Sequence, residues 1–536
     1  MQASTNFEPG QRVHAENDPR RIGTVKYVGP LDGYPGSWVG VDWDTDDGKH
    51  DGTHNGVRYF QARSDCSGSF VRSPALSPGI SLVEALHARY ADLSSKEEED
   101  EMYVLSTNNK RVSVELVGRD KIQQKLSRLD ELSVASLSYM GVCDPDFSND
   151  IRSIVPNLQE LDLTGNLLSK WKDVEDMCEQ LKLLHALNLS NNLMGHNVSL
   201  KPCLHNIRVL VLNNTGIIFM QVDFLQLPVI EELHLMSNKI CKIEPICSSF
   251  VKRLQTLRVL NLDDNFLTDW DEILKLSLLG RLEQLYVNKN KLKCISYPNG
   301  DVIHDKSKDT LPFQNLRCLF LGGNEIGDFA SIDALNAFPK LVDVRLSENP
   351  VSDPAKGGVP RYVLIARLSN IKTLNGSEVG ARERKESEIR YVRLVMSSSH
   401  DQTKIEEVHP RFLELKRFHE IEDERSKAGV HGPQKMSLGL ISMTLKCVGP
   451  TIAHKETLVK KLPATTSVGR LKILCESLFK LNHRNLKLFL QETVCYVFFI
   501  LEPIVMFYSL RLSIRMVCRL DFDCFTKKKK TLNHNR

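Results

Sequence analysis

The chain has 536 residues, 41% hydrophobic and 26% charged, the make-up of an ordinary folded protein. A single core rarely grows past about 250–300 residues, so several domains are expected. With 70 Lys/Arg against 67 Asp/Glu the net charge is +3, and nothing in that balance suggests a nucleic-acid binder, which would carry a basic patch or stripe.

The segment Met1–His14 has no basic stretch followed by an apolar run, so no secretory signal is expected. The 13 cysteines form no C-x-x-C pair and no Cys/His cluster at zinc spacing. They are expected as buried thiols of a cytoplasmic protein without a metal or other cofactor. There is no P-loop, G-x-S-x-G elbow, H-E-x-x-H or dinucleotide fingerprint, so an enzyme is not expected.

Residues 1–75 are rich in Gly, Trp, Tyr and Val with frequent turn signals, and predict a small all-β domain. Gly23–Gly29 and Trp38–Trp43 read as strands, followed by the loop Gly48-Lys49-His50-Asp51-Gly52, then Gly56-Val57-Arg58-Tyr59-Phe60 and Gly68–Val71. Glycines at both ends of the loop let its backbone approach a partner closely. Lys49 suits a carboxylate, and the loop amides can add hydrogen bonds. Trp38, Tyr59 and Phe60 are candidates for an aromatic shelf, while Trp43 and Tyr59 are more readily core residues. His50 donates one hydrogen bond and changes charge with pH. Residues 1–72 hold eight Lys/Arg and ten Asp/Glu, so any attraction for an acidic ligand must be local.

Residues 76–131, with the charge run Lys96–Glu101, read as a linker. Residues 132–380 repeat L-x-x-L-x-L-x-x-N, with the Asn position at Asn166, Asn192, Thr215, Asn238, Asn265, Asn290, Asn324 and Asn349. The spacing is 23 to 27 residues, except for 34 between Asn290 and Asn324, where Tyr297–Asp309 reads as an inserted loop. Apolar residues two apart share one face of a short strand, and each Asn can serve backbone groups that the following turn leaves unpaired. No copy can bury its apolar face alone, so the copies are expected to stack as a solenoid with a C-terminal cap. Its solvent-facing strand positions, among them Glu160, Asp162, Asn188, His234, Asn261, Tyr286, Phe320 and Arg345, are candidates for protein contact.

Residues 381–437 predict a charged helical connector. In 438–490, Leu438–Lys446 alternates like a strand, Thr457–Pro463 suits its hairpin partner and Ser467–Lys480 reads as an amphipathic helix capped by Ser467. Residues 491–536 read as an atypical apolar and basic tail; its apolar run is too short to span a membrane, and Glu502-Pro503 interrupts it.

The loop and the G-x-x-Y-F run after it resemble the CAP-Gly domain, a small β-domain of cytoskeletal proteins whose signature is G-K-N-D-G, with His50 here in the Asn place. The resemblance implies a site for C-terminal peptides that end in an acidic stretch and an aromatic, as in the α-tubulin tail. Trp38, Gly48, Lys49, His50, Asp51, Gly52 and Phe60 would form it. The repeats resemble leucine-rich repeats. The β-β-α order of 438–490 resembles the first half of a ubiquitin-like (β-grasp) domain, incomplete if the tail lies outside it.

The full order resembles the tubulin-specific chaperone E (tubulin-folding cofactor E) family. That implies a cytoplasmic, cytoskeleton-associated folding cofactor. It would bind α-tubulin, tail through the first domain and body through the solenoid, and meet β-tubulin carried by other tubulin-folding cofactors, with no nucleic-acid or membrane partner. It would assemble and dismantle the α/β heterodimer. Two other readings stay open: an adaptor binding tubulin tails on the microtubule, and a leucine-rich-repeat scaffold for a partner other than tubulin.

Overall fold

The computed structural model describes residues 7–91 and 128–421, apart from 146–149, 195–203, 223–224, 245–247, 299–311, 399–404 and 406. It also describes two short strands within 103–113 and the strands and helix within 440–520. The run 96–101 and residues 299–309 of the inserted loop lie outside the described residues. The chain forms two compact units, Met1–Glu422 and Asp423–Arg536.

The first unit opens with seven strands: β1 (Arg12–Ala15), β2 (Asp18–Leu31), β3 (Tyr34–Trp43), β4 (Thr53–His54), β5 (Val57–Arg58), β6 (Gly68–Val71) and β7 (Leu76–Ser77). Five make an antiparallel sheet in the order β6-β3-β2-β1-β7, and β4 pairs with β5 in a small hairpin. Alternation on β3 turns Val39, Val41 and Trp43 inward against Val13, Val25 and Leu76. Buried Arg12 is held by Asp44 (Nη1 to Oδ1 2.7 Å) and by the Thr24 hydroxyl (2.9 Å), which fixes the start of the long loop after β3.

Residues 76–131 do not form a linker throughout. Leu76–Ser77 completes the first sheet, and Ile80–Ser81 already pairs in parallel with Val142–Asp144 of the solenoid. A short helix, α1 (Leu82–Leu86), follows at once, closed by a capping box between Ser81 and Glu84. Its Leu82, Val83, Ala85 and Leu86 are buried in the solenoid core, beside Leu129 and Leu132. The helix shields the open end of the repeat stack, a role that composition alone does not reveal. The joint itself is tight. Gly79 has φ +92°, and a Cβ there would lie 2.4 Å from the Gly141 carbonyl oxygen.

The solenoid sheet has eleven strands. Nine run parallel in register: Val134–Ser136, Glu160–Asp162, Ala186–Asn188, Val209–Val211, Glu232–His234, Val259–Asn261, Gln284–Tyr286, Cys318–Phe320 and Asp343–Arg345. Thr373–Leu374 and the antiparallel Ser377–Glu378 close the far end. The middle residue of each repeat strand, from Leu161 through Leu260 to Val344, is buried in one continuous core. The Asn positions are buried as well. Asn265 donates to Leu235 O and Leu262 O (both 3.0 Å) and accepts from the amides of Asn238 (3.0 Å) and Ile240 (2.9 Å), tying two repeats together.

The charged stretch after the cap is helical over α2 (Ala381–Ser398) and α3 (Phe412–Phe418), but it docks instead of connecting. Tyr391, Val392, Val395, Phe412 and Leu415 share a core with Val363 and Ala366 of the cap helix Arg361–Arg367. Arg384 donates to the carbonyls of Ile365 (3.2 Å) and Leu368 (2.9 Å) at the end of that helix.

The second unit holds strands Leu440–Val448, Leu458–Pro463, Leu486–Gln491, Phe498–Ile500 and Ile514–Leu520, with a helix at Val468–Leu478. In order along the sheet these are the second, first, fifth, third and fourth strands, with the first and fifth parallel. The sequence places 491–536 outside this domain as a tail; the sheet instead takes two strands from it. A strand's partners lie far off in sequence, so composition does not say where it pairs.

Candidate functional site

The loop between β3 and β6 crosses the sheet edge and is pinned by backbone. Gly68 O accepts from the amides of Lys49 (2.7 Å) and His50 (3.1 Å), and the Gly68 amide donates to His50 O (2.7 Å). Gly52 has φ +97°, and a Cβ there would meet Phe60 O at 2.1 Å, so no other residue fits without moving the backbone at Phe60. Asp51 faces its own loop: its carboxylate accepts from the Thr53 amide (3.0 Å) and pairs with Arg58 (2.6 Å). The hydrogen bonds from Thr53, more than the nearby Arg58, hold its pKa below the usual carboxylate value.

His50 Nδ1 accepts the Gly52 amide (3.0 Å), which leaves the ring proton on Nε2. Burial first, then the neighbouring His54, lowers its pKa below the ordinary 6.5. Lys49 is exposed, and its ammonium pairs with no carboxylate among the described residues.

The rings converge on Phe70. Its centroid lies 4.8 Å from His50, 5.4 Å from Tyr59, 5.4 Å from Phe60 and 6.2 Å from each of Tyr27 and His54. Trp38 stands at one side, with Tyr34 at 5.8 Å and the Arg72 guanidinium stacked 3.8 Å above its face. Two buried ring nitrogens, Trp38 Nε1 and His54 Nε2, have no hydrogen-bond partner among the described residues. The result is an aromatic floor with polar ring edges and one free ammonium at its rim. It can hold an aromatic side chain and a carboxylate side by side.

Lys49, His50 and Phe60 come together here, with Gly48, Asp51 and Gly52 shaping the loop and Trp38 at the flank. Phe60 is only 7% exposed, so it forms the floor and not a free shelf. Trp43 is 1% exposed and belongs to the core. Tyr59 lies against the floor, where its hydroxyl accepts the Asp32 amide (3.0 Å). The sequence reading missed Phe70, Tyr27 and His54. For Phe70 the sequence carried no signal: only the structure shows that the neighbouring Ser69 is buried in the sheet, so that strand alternation turns Phe70 to the other face.

On the solenoid, the named strand positions line one face. Tyr286 and Phe320 pack with centroids 4.6 Å apart, Arg345 is exposed beside them, and His234 lies 3.7 Å from Glu232. Asp263, further along the repeat, has its pKa raised by burial despite hydrogen bonds from Asn288.

The CAP-Gly domain family matches residues 9–76 and the leucine-rich repeat family matches residues 231–394. Tubulin-folding cofactor E of Arabidopsis thaliana is 58% identical over 91% of this chain and 93% of its own length. Tubulin-specific chaperone E of Xenopus laevis is 31% identical over 88% of this chain and 90% of its own. The human protein of that name is 30% identical over 89% and 91%. With both family matches lying where the ring cluster and the repeats are built, and with similarity running through nearly the whole length of these relatives, the chain belongs to the tubulin-folding cofactor E family.

Proposed function

We propose that this chain is a tubulin-folding cofactor that acts by binding and not by chemistry on its client. The groove around Lys49 takes the acidic, aromatic-ended tail of α-tubulin, and the solenoid holds the body of the subunit. Other tubulin-folding cofactors bring β-tubulin, and the chain takes part in putting together and taking apart the α/β heterodimer in the cytoplasm, next to the cytoskeleton. Trp38, Gly48, Lys49, His50, Asp51, Gly52 and Phe60 serve the peptide, and Phe70 joins them as the centre of the floor.

The observation that carries the tail reading is the unpaired, exposed Lys49 ammonium beside a cluster of rings. The client is the one in the relatives' names, tubulin. The second unit is read as ubiquitin-like, supported by its strand order and by the parallel pairing of its first and last strands.

The test is capture of soluble tubulin by the full chain and by its Lys49→Ala variant. Lys49→Ala is expected to weaken binding of an α-tubulin tail peptide by about 1–3 kcal/mol, the worth of a charge-assisted hydrogen bond. Equal peptide affinities would remove the groove from the reading. Co-sedimentation with polymer, without capture of soluble tubulin, would favour a microtubule adaptor.

A further inference from the structure

The turn edge of the solenoid carries a feature that neither the core nor the groove uses. The residue after the Asn position occupies the same place in successive repeats, giving the row Lys239, Phe266, Lys291. The stacking is direct: the Phe266 amide donates to Ile240 O (2.8 Å) and the Lys291 amide to Leu267 O (2.9 Å). Equivalent positions on neighbouring strands lie about 5 Å apart, so ring and ammonium groups alternate along a short line. Lys242, Lys289 and Lys293 flank it. All five lysines are exposed, and none forms an ion pair among the described residues. Of the acids on the same edge, Asp264 accepts from the Ser237 hydroxyl (2.7 Å) and Asp269 caps the amide of Asp271 (3.0 Å), while past Lys291 the row ends on the exposed Glu325, so the lysine-flanked ring is the stretch Lys239 to Lys291.

Phe266 is 49% exposed, while its neighbour Leu267 fills the core. Packing therefore asks nothing of this ring, which lies open with the Lys291 ammonium 5.4 Å from its centroid. A ring between unpaired ammonium groups matches a ligand bearing carboxylates and an apolar side chain. The edge has lysines but no arginine fork, and the chain as a whole is near charge balance, so a polypeptide fits better than a nucleic acid.

We infer that this edge is a second docking site for an acidic peptide segment, separate from the groove around Lys49 and independent of it. The lysines supply attraction, which is screened by salt, and Phe266 supplies a contact for an apolar or aromatic residue.

The test uses the full chain and a labelled polyglutamate peptide ending in phenylalanine amide, blocked at both ends so that it offers no terminal carboxylate. Fluorescence anisotropy should show binding that weakens with salt. Lys239→Glu, Lys291→Glu and Lys293→Glu combined should weaken it by about tenfold or more, and the same three positions changed to Gln should weaken it less. Added to a chain that already carries Lys49→Ala, the triple Glu variant should still weaken binding by the same factor, which separates this site from the tail-binding one. Phe266→Ala should erase the preference for this peptide over one ending in alanine amide. No binding by the wild type, an unaffected triple variant, an unaffected preference in Phe266→Ala, or no further loss when the triple variant is added to Lys49→Ala would each overturn the inference. So would displacement by a DNA or RNA oligonucleotide at lower concentration than by unlabelled peptide.

Discussion

His50 accepts the Gly52 amide at Nδ1, so a second proton on the ring costs the loop a hydrogen bond that sets the backbone beside Lys49. Burial and His54 already hold its pKa below 6.5. Above 6.5 the ring is neutral both folded and unfolded, and the native bond is fully present. As pH falls below 6.5 the unfolded chain takes up the proton first, so this part of the stability is lost. The expected outcome is that protection of the Gly52 amide, corrected for intrinsic exchange, declines between about pH 7 and pH 5.5. His50→Asn should flatten that decline, and an equal decline in the variant would show that His50 does not govern the loop.

Arg367 is a second residue with consequences beyond its size. Its side chain is 2% exposed, yet it bonds both Asp333 oxygens (3.0 and 2.7 Å) and Val408 O (2.7 Å), and lies 4.2 Å over the Phe329 ring. Its charge, after burial, lowers the pKa of His409, which stays an acceptor for the Tyr391 hydroxyl (2.8 Å). Arg367→Met leaves Asp333 without its counter-charge and should cost about 3–5 kcal/mol in a urea titration. Arg367→Met with Asp333→Leu should recover part of that loss. A double variant no more stable than the single one would show that the pair is not the source.

At the scale of the repeat, the side-chain ladder explains both the motif and its one exception. Each buried Asn bridges to a backbone carbonyl of the preceding copy: Asn290 to Leu262 O (3.0 Å), Asn324 to Val287 O (2.9 Å) and Asn349 to Leu321 O (2.8 Å). Thr215 is shorter: its hydroxyl donates to Leu212 O of its own repeat (3.0 Å) or to Asn238 Oδ1 of the following one (3.2 Å), and among the described residues it reaches no carbonyl of the preceding copy. Thr215→Asn should therefore raise stability by about 0.5–1.5 kcal/mol by adding a bridge toward Leu189 O. Asn265→Ala should lower it by about 2–4 kcal/mol, because buried backbone groups on two repeats lose their partners. Denaturant midpoints of the full chain decide both, and a neutral Asn265→Ala would mean that water replaces the amide.

At the scale of the molecule, the joint at Gly79 bears on how the two proposed binding surfaces would work together. A flexible tether would raise affinity through effective concentration alone. Here strand Ile80–Ser81 and helix Leu82–Leu86 fix the groove domain onto the solenoid cap, and the Arg20 guanidinium lies 5.5 Å from the centroid of the Tyr139 ring. A Gly-Ser insertion after Ser77 should leave affinity for the tail peptide unchanged but weaken capture of intact tubulin, measured side by side. Unchanged capture would show that a tether suffices. Tubulin stripped of its acidic tails should still bind residues 78–421 and not the first domain alone. Failure of that binding would remove the solenoid from client recognition.

What the sequence by itself determined is what local chemistry repeats or confines: the period of the solenoid, its buried Asn positions and the loop Gly48–Gly52. In each case the residues act through neighbours a few positions away or one repeat away, so the pattern is visible along the chain. The candidate site was legible at Lys49 and His50 but not at its centre. Phe70 gains its meaning only when β6 pairs with β3 and brings five rings around it. The cap helix Leu82–Leu86, the docking of Ala381–Ser398 and the insertion of Ile514–Leu520 between its neighbouring strands were likewise decided by the tertiary structure. An exposed core end or an unpaired strand must be covered by some segment, and which segment does so depends on contacts far apart in sequence, which no local pattern records.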